Sequence, residues 1–452
     1  MSTWQDLVTA SLIGTERAPV PAVRIPGLPA GAEPAAADSA AMLLDGAALL
    51  TAARRAGRPA DQAEPLPVAG PDRRPAVNPA ASGRLARMLS GEHPDLLTEW
   101  LTAVTARGLR ASAQCLPALL ERARRAAAAD SGLRRLVAEA GGPRAAWLAG
   151  LNPDWKFMTA QDALTGADAW RLGDISQRRG YLAALRADDH AAARELVAAS
   201  WDAASPGERV MFLIVLADGP SLGPADEPLL EAALDDRAED VHSWAAYLLA
   251  RLPGSALGRR MAGRALRCLQ IRRAHQSKQG RGPYLVIDPP AECDTGMRRD
   301  GITPGPGAGP HPPPHPPSLA DRTRLMLEVV ARTPLRTWTE KFKLTPAEIV
   351  AVPSGDWAPL LFTGWTRAAI AQRDQAWVAA LINEALTGRP PGSLVENEAL
   401  SKLARRADPV LGAPGTLTEP EPGVPRAIRD AIRVLRFRYD MLKELDDDHS
   451  GG

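Results

Sequence analysis

Residues able to do chemistry are few in this chain, and their spacing suits binding better than catalysis. Acids fall in pairs at Asp188-Asp189, Asp235-Asp236 and Glu239-Asp240, the residue types that general acid–base catalysis uses. Adjacent residues on a helix point to different sides, and each pair sits at an inter-helix turn. An acid there caps the next helix and meets its positive N-terminal end, so capping is the expected role. His311 and His315 share a tract of Pro and Gly. Two imidazoles without a neighbouring acid or Cys make a poor zinc site, and the tract reads as a low-complexity linker. His242, two residues before Trp244, reads as a surface or groove residue and not as a base.

The main charge feature is the run from Arg251 to Arg281. It holds Arg259, Arg260, Arg264, Arg267, Arg272, Arg273 and Lys278, with no acid until Asp288. On a helix over 256–271, Arg260, Arg264 and Arg267 fall at i, i+4 and i+7 and share a face. With Arg272, Arg273, Trp244 and His242 they are the candidate partner-binding residues. Such a stripe grips an acidic protein or nucleic-acid phosphates, or it is a solvated face paired with the acids at 235–240. A DNA-binding role requires the three arginines to face the same concavity as Trp244, beside Asp240. A scaffold role has them paired with acids or on a convex face. Changing all three to Glu is expected to abolish binding without unfolding the protein.

No phosphate-binding GxxxxGK[ST], GxSxG elbow, HExxH or CxxC occurs, and Gly305, Gly307 and Gly309 lie in a proline tract without a strand or helix beside them. No catalytic residue, metal ligand or cofactor is therefore expected. The 452 residues carry a net charge of +1, closer to neutral than a dedicated nucleic-acid binder. Three scattered cysteines (115, 268, 293) give no disulfide framework and fit a reducing compartment. The opening helix lacks a signal-peptide pattern, and no window is apolar for a membrane span. A cytoplasmic protein without a membrane partner is the expectation.

The elements that must position these residues are helices. The 11 Trp outnumber the 5 Phe and 4 Tyr combined, so Leu and Ala fill most of the core, with Trp as wedges between helices. The periodicity predicts helices over 3–14, 39–56, 80–91, 94–107, 114–128 and 131–140. Gly141-Gly142-Pro143 then stops and restarts the chain. A central series follows over 174–187, 189–203, 206–217, 225–235, 239–252 and 256–271. Ser205-Pro206-Gly207-Glu208 and Thr345-Pro346-Ala347-Glu348 read as capping boxes. Further helices are predicted over 319–333, 357–373, 374–388 and 425–445, and Tyr284–Ile287 is the best strand candidate.

The pair at 225–255 is too short to bury its apolar stripe alone and must stack on similar neighbours. The predicted fold is an all-α, HEAT-like α-solenoid of stacked helix pairs with N- and C-terminal helical subdomains and a Pro-rich insertion. Its parts are an N-terminal helical domain (1–150), a central array (151–287), a Pro/Gly/His-rich linker or loop (288–318) and a C-terminal helical domain (319–452).

The opening W-x-x-L-V-T-A-x-L-x-G-T-x-R (Trp4 to Arg17), R-A-A-W-L-A-x-x-N-P-x-W (Arg144 to Trp155), the run from Leu234 through the Leu257 region and T-P-L-R-T-W (Thr333 to Trp338) occur in this order. In that order they resemble a family of uncharacterised bacterial helical proteins, over nearly the whole chain. The resemblance implies no activity. It implies partners encoded beside such proteins: a SWIM-type zinc-finger protein, a MoxR-type AAA ATPase and a von Willebrand A-domain protein. The expected function is a protein-interaction scaffold or adaptor, with nucleic-acid binding through the basic 256–281 segment as the alternative.

Overall fold

Helix caps and apolar stripes set the architecture. The computed structural model describes residues 4–23, 38–56, 66, 68–126, 131–158, 166–217, 222–274, 282–303, 318–387, 394–416 and 426–446. Among these residues the chain is all-α in character, with 21 α-helices and one two-stranded hairpin. Lys278, Arg281 and the Pro304–Pro317 tract with His311 and His315 lie outside the described residues. No described helix is long and apolar enough to cross a membrane. The chain divides into two units, residues 1–69 and 70–452.

The first unit holds α1 (Trp4–Ile13) and α2 (Ser39–Arg55). Asp38 caps α2 by accepting the Ala41 N–H at 2.6 Å. Leu7, Ala10 and Val23 are its buried apolar side chains among the described residues.

The second unit opens with α3 (Pro79–Leu89), α4 (Leu97–Ala106), α5 (Leu116–Arg125) and α6 (Ser131–Leu151). These close a core around Leu85, Trp100, Leu101, Leu119 and Val137. The expected stop at 141–143 is a break inside α6, where Gly142 takes φ 55°, a conformation that a side chain disfavours. Next come α7 (Ala167–Leu172), α8 (Ile175–Asp188), α9 (His190–Ser200) and α10 (Pro206–Ala217). Their small core centres on Leu182, Val197 and Phe212, with Trp170 stacked on Phe212 at 5.4 Å.

The largest core gathers α11 (Glu227–Ala233), α12 (Glu239–Ala250), α13 (Ala256–Cys268), α14 (Thr295–Arg299), α15 (Leu319–Arg332), α16 (Arg336–Phe342), α17 (Pro346–Val350), α18 (Ala358–Gln372), α19 (Gln375–Thr387) and α20 (Leu394–Arg406). Trp338, Trp365 and Trp377 are buried in it, whereas Trp201, Trp244 and Trp357 pack partly buried at its edge. Helix α21 (Arg426–Asp446) joins two cores. Ile428 to Leu435 lie in the largest core, and Phe437, Met441 and Leu445 lie in the core of α3–α6.

The expected capping boxes at Ser205 and Thr345 form, each with its Glu accepting the cap N–H (2.9 and 2.8 Å). The helix predicted over 256–271 gives way to a strand before its expected end. α13 stops at Cys268, and Leu269–Ala274 is strand β1, antiparallel to β2 (Gly282–Ile287), with Ile271 opposite Leu285. Leu269-Gln-Ile-Arg272 alternates apolar and polar residues, the period of a strand and not of a helix. In the Pro-rich segment, residues 288–303 carry α14 and bury Cys293, Met297 and Ile302.

A buried ion pair fastens α8 to the turn before α11. Asp226, 1% exposed, accepts Arg186 Nη1 and Nη2 at 3.0 and 2.8 Å and the Gly223 N–H at 2.9 Å. Burial pushes the Asp226 carboxyl up, but the Arg186 guanidinium and the Gly223 N–H outweigh it, so it lies below its ordinary value of 3.8. A depressed carboxylate stabilises the fold above its unfolded pKa, and that contribution is lost as pH falls through the folded value. Asp226→Asn is expected to cost about 3–5 kcal/mol at pH 7, because Arg186 loses its counter-ion. In urea titrations the gap to wild type should narrow below about pH 4. A gap independent of pH would show that the carboxylate charge is not what holds this joint.

Candidate functional site

The sequence-predicted residues fall on α12, α13 and β1. Ser255 starts α13, its Oγ accepting the Gly258 N–H at 3.1 Å and donating to the Leu249 carbonyl at 3.1 Å. Leu257, Met261, Ala265 and Cys268 then face the core, which turns Arg260 and Arg264 toward α14. There both meet Asp300, 1% exposed. Arg260 donates to it through Nε (2.9 Å) and Nη2 (2.6 Å), and Arg264 through Nη1 (2.5 Å).

Acids from α11 and its C-terminal turn complete the network. Glu231 accepts Arg260 Nη2 at 3.1 Å, and Asp235 accepts both Arg299 Nε and Nη2 at 2.8 Å. The hydrogen bond from Arg299 holds the Asp235 carboxyl below its ordinary range, and the same contact raises Arg299. Burial lowers Arg260, but its bonds to Asp300 and Glu231 outweigh that and leave it raised. Gly301 makes the approach possible. Its φ is 76°, and a side chain there would run into Ala246 on α12.

His242 Nε2 lies 2.8 Å from the Arg299 carbonyl. A carbonyl only accepts, so this nitrogen carries the proton, and the ring pins α14 to α12. Trp244 packs edge-on to Tyr247 (5.7 Å, 86°) at the margin of the core. The structure thus brings Arg260 and Arg264 together on one buried acid, with His242 tied to the residue preceding it. Arg267 and Arg272 are exposed and outside this cluster, and Arg273 lies opposite Pro283 in the hairpin. The shared helical face from Arg260 to Arg267 therefore ends in two environments.

The capping expected of the paired acids holds for Asp189, which accepts the Ala191 and Ala192 N–H groups at 2.9 Å. Asp235 and Asp236 act differently. Asp236 pairs with Arg209 on α10 as well as accepting the Ala238 N–H at 2.9 Å.

Sequence reasoning missed a cleft of about 1010 Å³ between α4 on one side and α18–α21 on the other. Six basic and two acidic side chains line it. Its floor is apolar, from Leu96, Ala103, Ile370, Val378 and Leu442. At its base Arg438, buried on α21, donates to Glu99 (2.7 and 2.9 Å) and to the Ala404 and Ala407 carbonyls (3.0 and 2.6 Å). Around the rim, Arg107 pairs with Asp446 at 2.6 Å, Lys402 with Glu398 at 2.6 Å, and Arg405 with Asp95. Arg373 and Arg406 are exposed. The available signal was Lys402-x-x-Arg405-Arg406, which shares a helical face once 394–406 is recognised as a helix.

Among the described residues no group of three or more His, Cys, Asp or Glu is placed to hold a metal ion. Burial pushes the Cys268 and Cys293 thiols up, which disfavours thiolate.

The arrangement is that of a mostly helical protein whose charged side chains join helices and rim a cleft. The chain belongs to a family of unknown function, DUF5691, whose sequence profile matches residues 6–412. No curated protein and no solved structure matches it significantly.

Because Asp300 depends on two arginines, Arg260→Glu with Arg264→Glu should disrupt the fold, contrary to the expectation from sequence that the protein stays folded. Three carboxylates would then crowd a buried position, and a loss of about 3 kcal/mol or more is expected. Arg267→Glu alone should stay within about 0.5 kcal/mol of wild type. Chemical denaturation of the two variants checks this, and equal stabilities would refute it.

Proposed function

We propose that this chain is a non-catalytic protein-interaction scaffold or adaptor, built as a HEAT-like α-solenoid and working in the cytoplasm. The observation that carries this reading is the order of packing. α8 packs on α9 and α10, α10 on α12, α12 on α13, α13 on α15, α15 on α18, and α18 on α19 and α20. From α8 to α20 these helices bury apolar faces on helices near them in the chain, as stacked helix pairs do, and such a stack leaves outer faces for partners. The pairing of Arg260 and Arg264 with Asp300 also favours a scaffold over a phosphate-gripping stripe. The partners that the family resemblance suggests are a MoxR-type AAA ATPase, a von Willebrand A-domain protein and a SWIM-type zinc-finger protein.

Affinity purification of the tagged chain from its native cells, with and without nuclease, tests this reading by mass spectrometry. The expected result is an ATPase or von Willebrand A-domain protein recovered whether or not nuclease is added. Recovery of nucleic acid, with the proteins lost on nuclease treatment, would overturn it in favour of the alternative.

A further inference from the structure

We infer that the cleft between α4 and α18–α21 is the docking groove for an acidic segment of a partner protein that carries an apolar anchor. This deepens the scaffold reading and rests on it. The argument is complementarity. An apolar floor takes the anchor, and a rim with Arg107, Arg373, Lys402, Arg405 and Arg406 takes carboxylates.

The present partners of two rim cations are weakly held. Asp446 and Glu398 have side chains 64% and 68% exposed, and pairs so solvated contribute little. An incoming carboxylate therefore displaces them at small cost. Arg438 is different, because its buried bonds to Glu99 and two carbonyls keep it as a fixed part of the wall.

The lining decides between classes of occupant. At about 1010 Å³ the cleft is as large as the largest small-molecule sites, at roughly 1,000 Å³, and it has room for a polypeptide segment. Grooves that track single-stranded nucleic acid stack bases on aromatic rings. None of the lining residues here is aromatic. An amphipathic acidic segment meets the floor and the rim together.

Fluorescence anisotropy on the full-length protein tests the assignment with three labelled probes: a short Glu/Leu peptide, a Lys/Leu peptide of equal length and a single-stranded oligonucleotide. The Glu/Leu peptide should bind in preference to the other two and weaken as salt is raised. Lys402→Glu with Arg406→Glu should weaken it by about tenfold or more. Lys402→Ala with Arg406→Ala, which puts no acid at the C-terminal end of α20, should show a smaller loss with helical circular dichroism unchanged. The inference is overturned if the peptide does not bind wild type, if neither variant weakens it, or if the oligonucleotide binds better through these residues. A native partner that stays bound to both variants would leave the scaffold reading standing and remove this groove.

Discussion

Arg438 is the constraint on which the larger unit turns. One buried guanidinium on α21 joins Glu99 on α4 to the carbonyls that end α20. A bare charge at that depth would be strongly unfavourable, so all three partners must be in place together. The apolar stripe of the same helix enforces this, passing from the largest core at Leu435 to the core of α3–α6 at Phe437. Arg84 on α3 adds a second tie, pairing with Glu444 at 2.6 and 2.7 Å. Fixing α4 and α20 to one helix sets the two walls of the cleft.

The two basic regions illustrate how burial decides what a charge is free to do. Arg260 and Arg264 look available in a run without acids, yet Asp300 draws both inward and Glu231 holds Arg260 from the other side. Their charge is used to seat α14 on α12 and α13. At the cleft, Arg107 and Lys402 face acids that remain largely in water, where exchange with another carboxylate changes little. The same residue type is thus a buried joint in one place and a solvated rim in the other.

Much of the helical layout was legible in the sequence because it is written locally. Apolar periodicity and the boxes at Ser205 and Thr345 placed helix starts that the structure reproduces, and Gly142 marked a real break in α6. The shorter or more polar elements α7, α14, α16 and α20 were not read, since few residues carry their period. The predicted helix over 256–271 takes in the first three residues of β1, because three residues carry too little of a strand period to stand out, although Leu269 and Ile271 already alternate with Gln270. The site was least legible. Asp300 lies 40 residues beyond Arg260, and Glu99 and Arg438 are 339 apart. Pairing over such separations is created by packing, and no local pattern announces it.

The central claim is that a partner is received by the cleft that α21 closes and not by the basic element at 256–300. Hydrogen–deuterium exchange of the full chain, alone and with its purified protein partner bound, tests this most directly. The account predicts slowed exchange in α4, in α20 and at the C-terminal end of α18, with α13 and α14 unchanged. Protection confined to α13, α14 and the β1–β2 hairpin would contradict it.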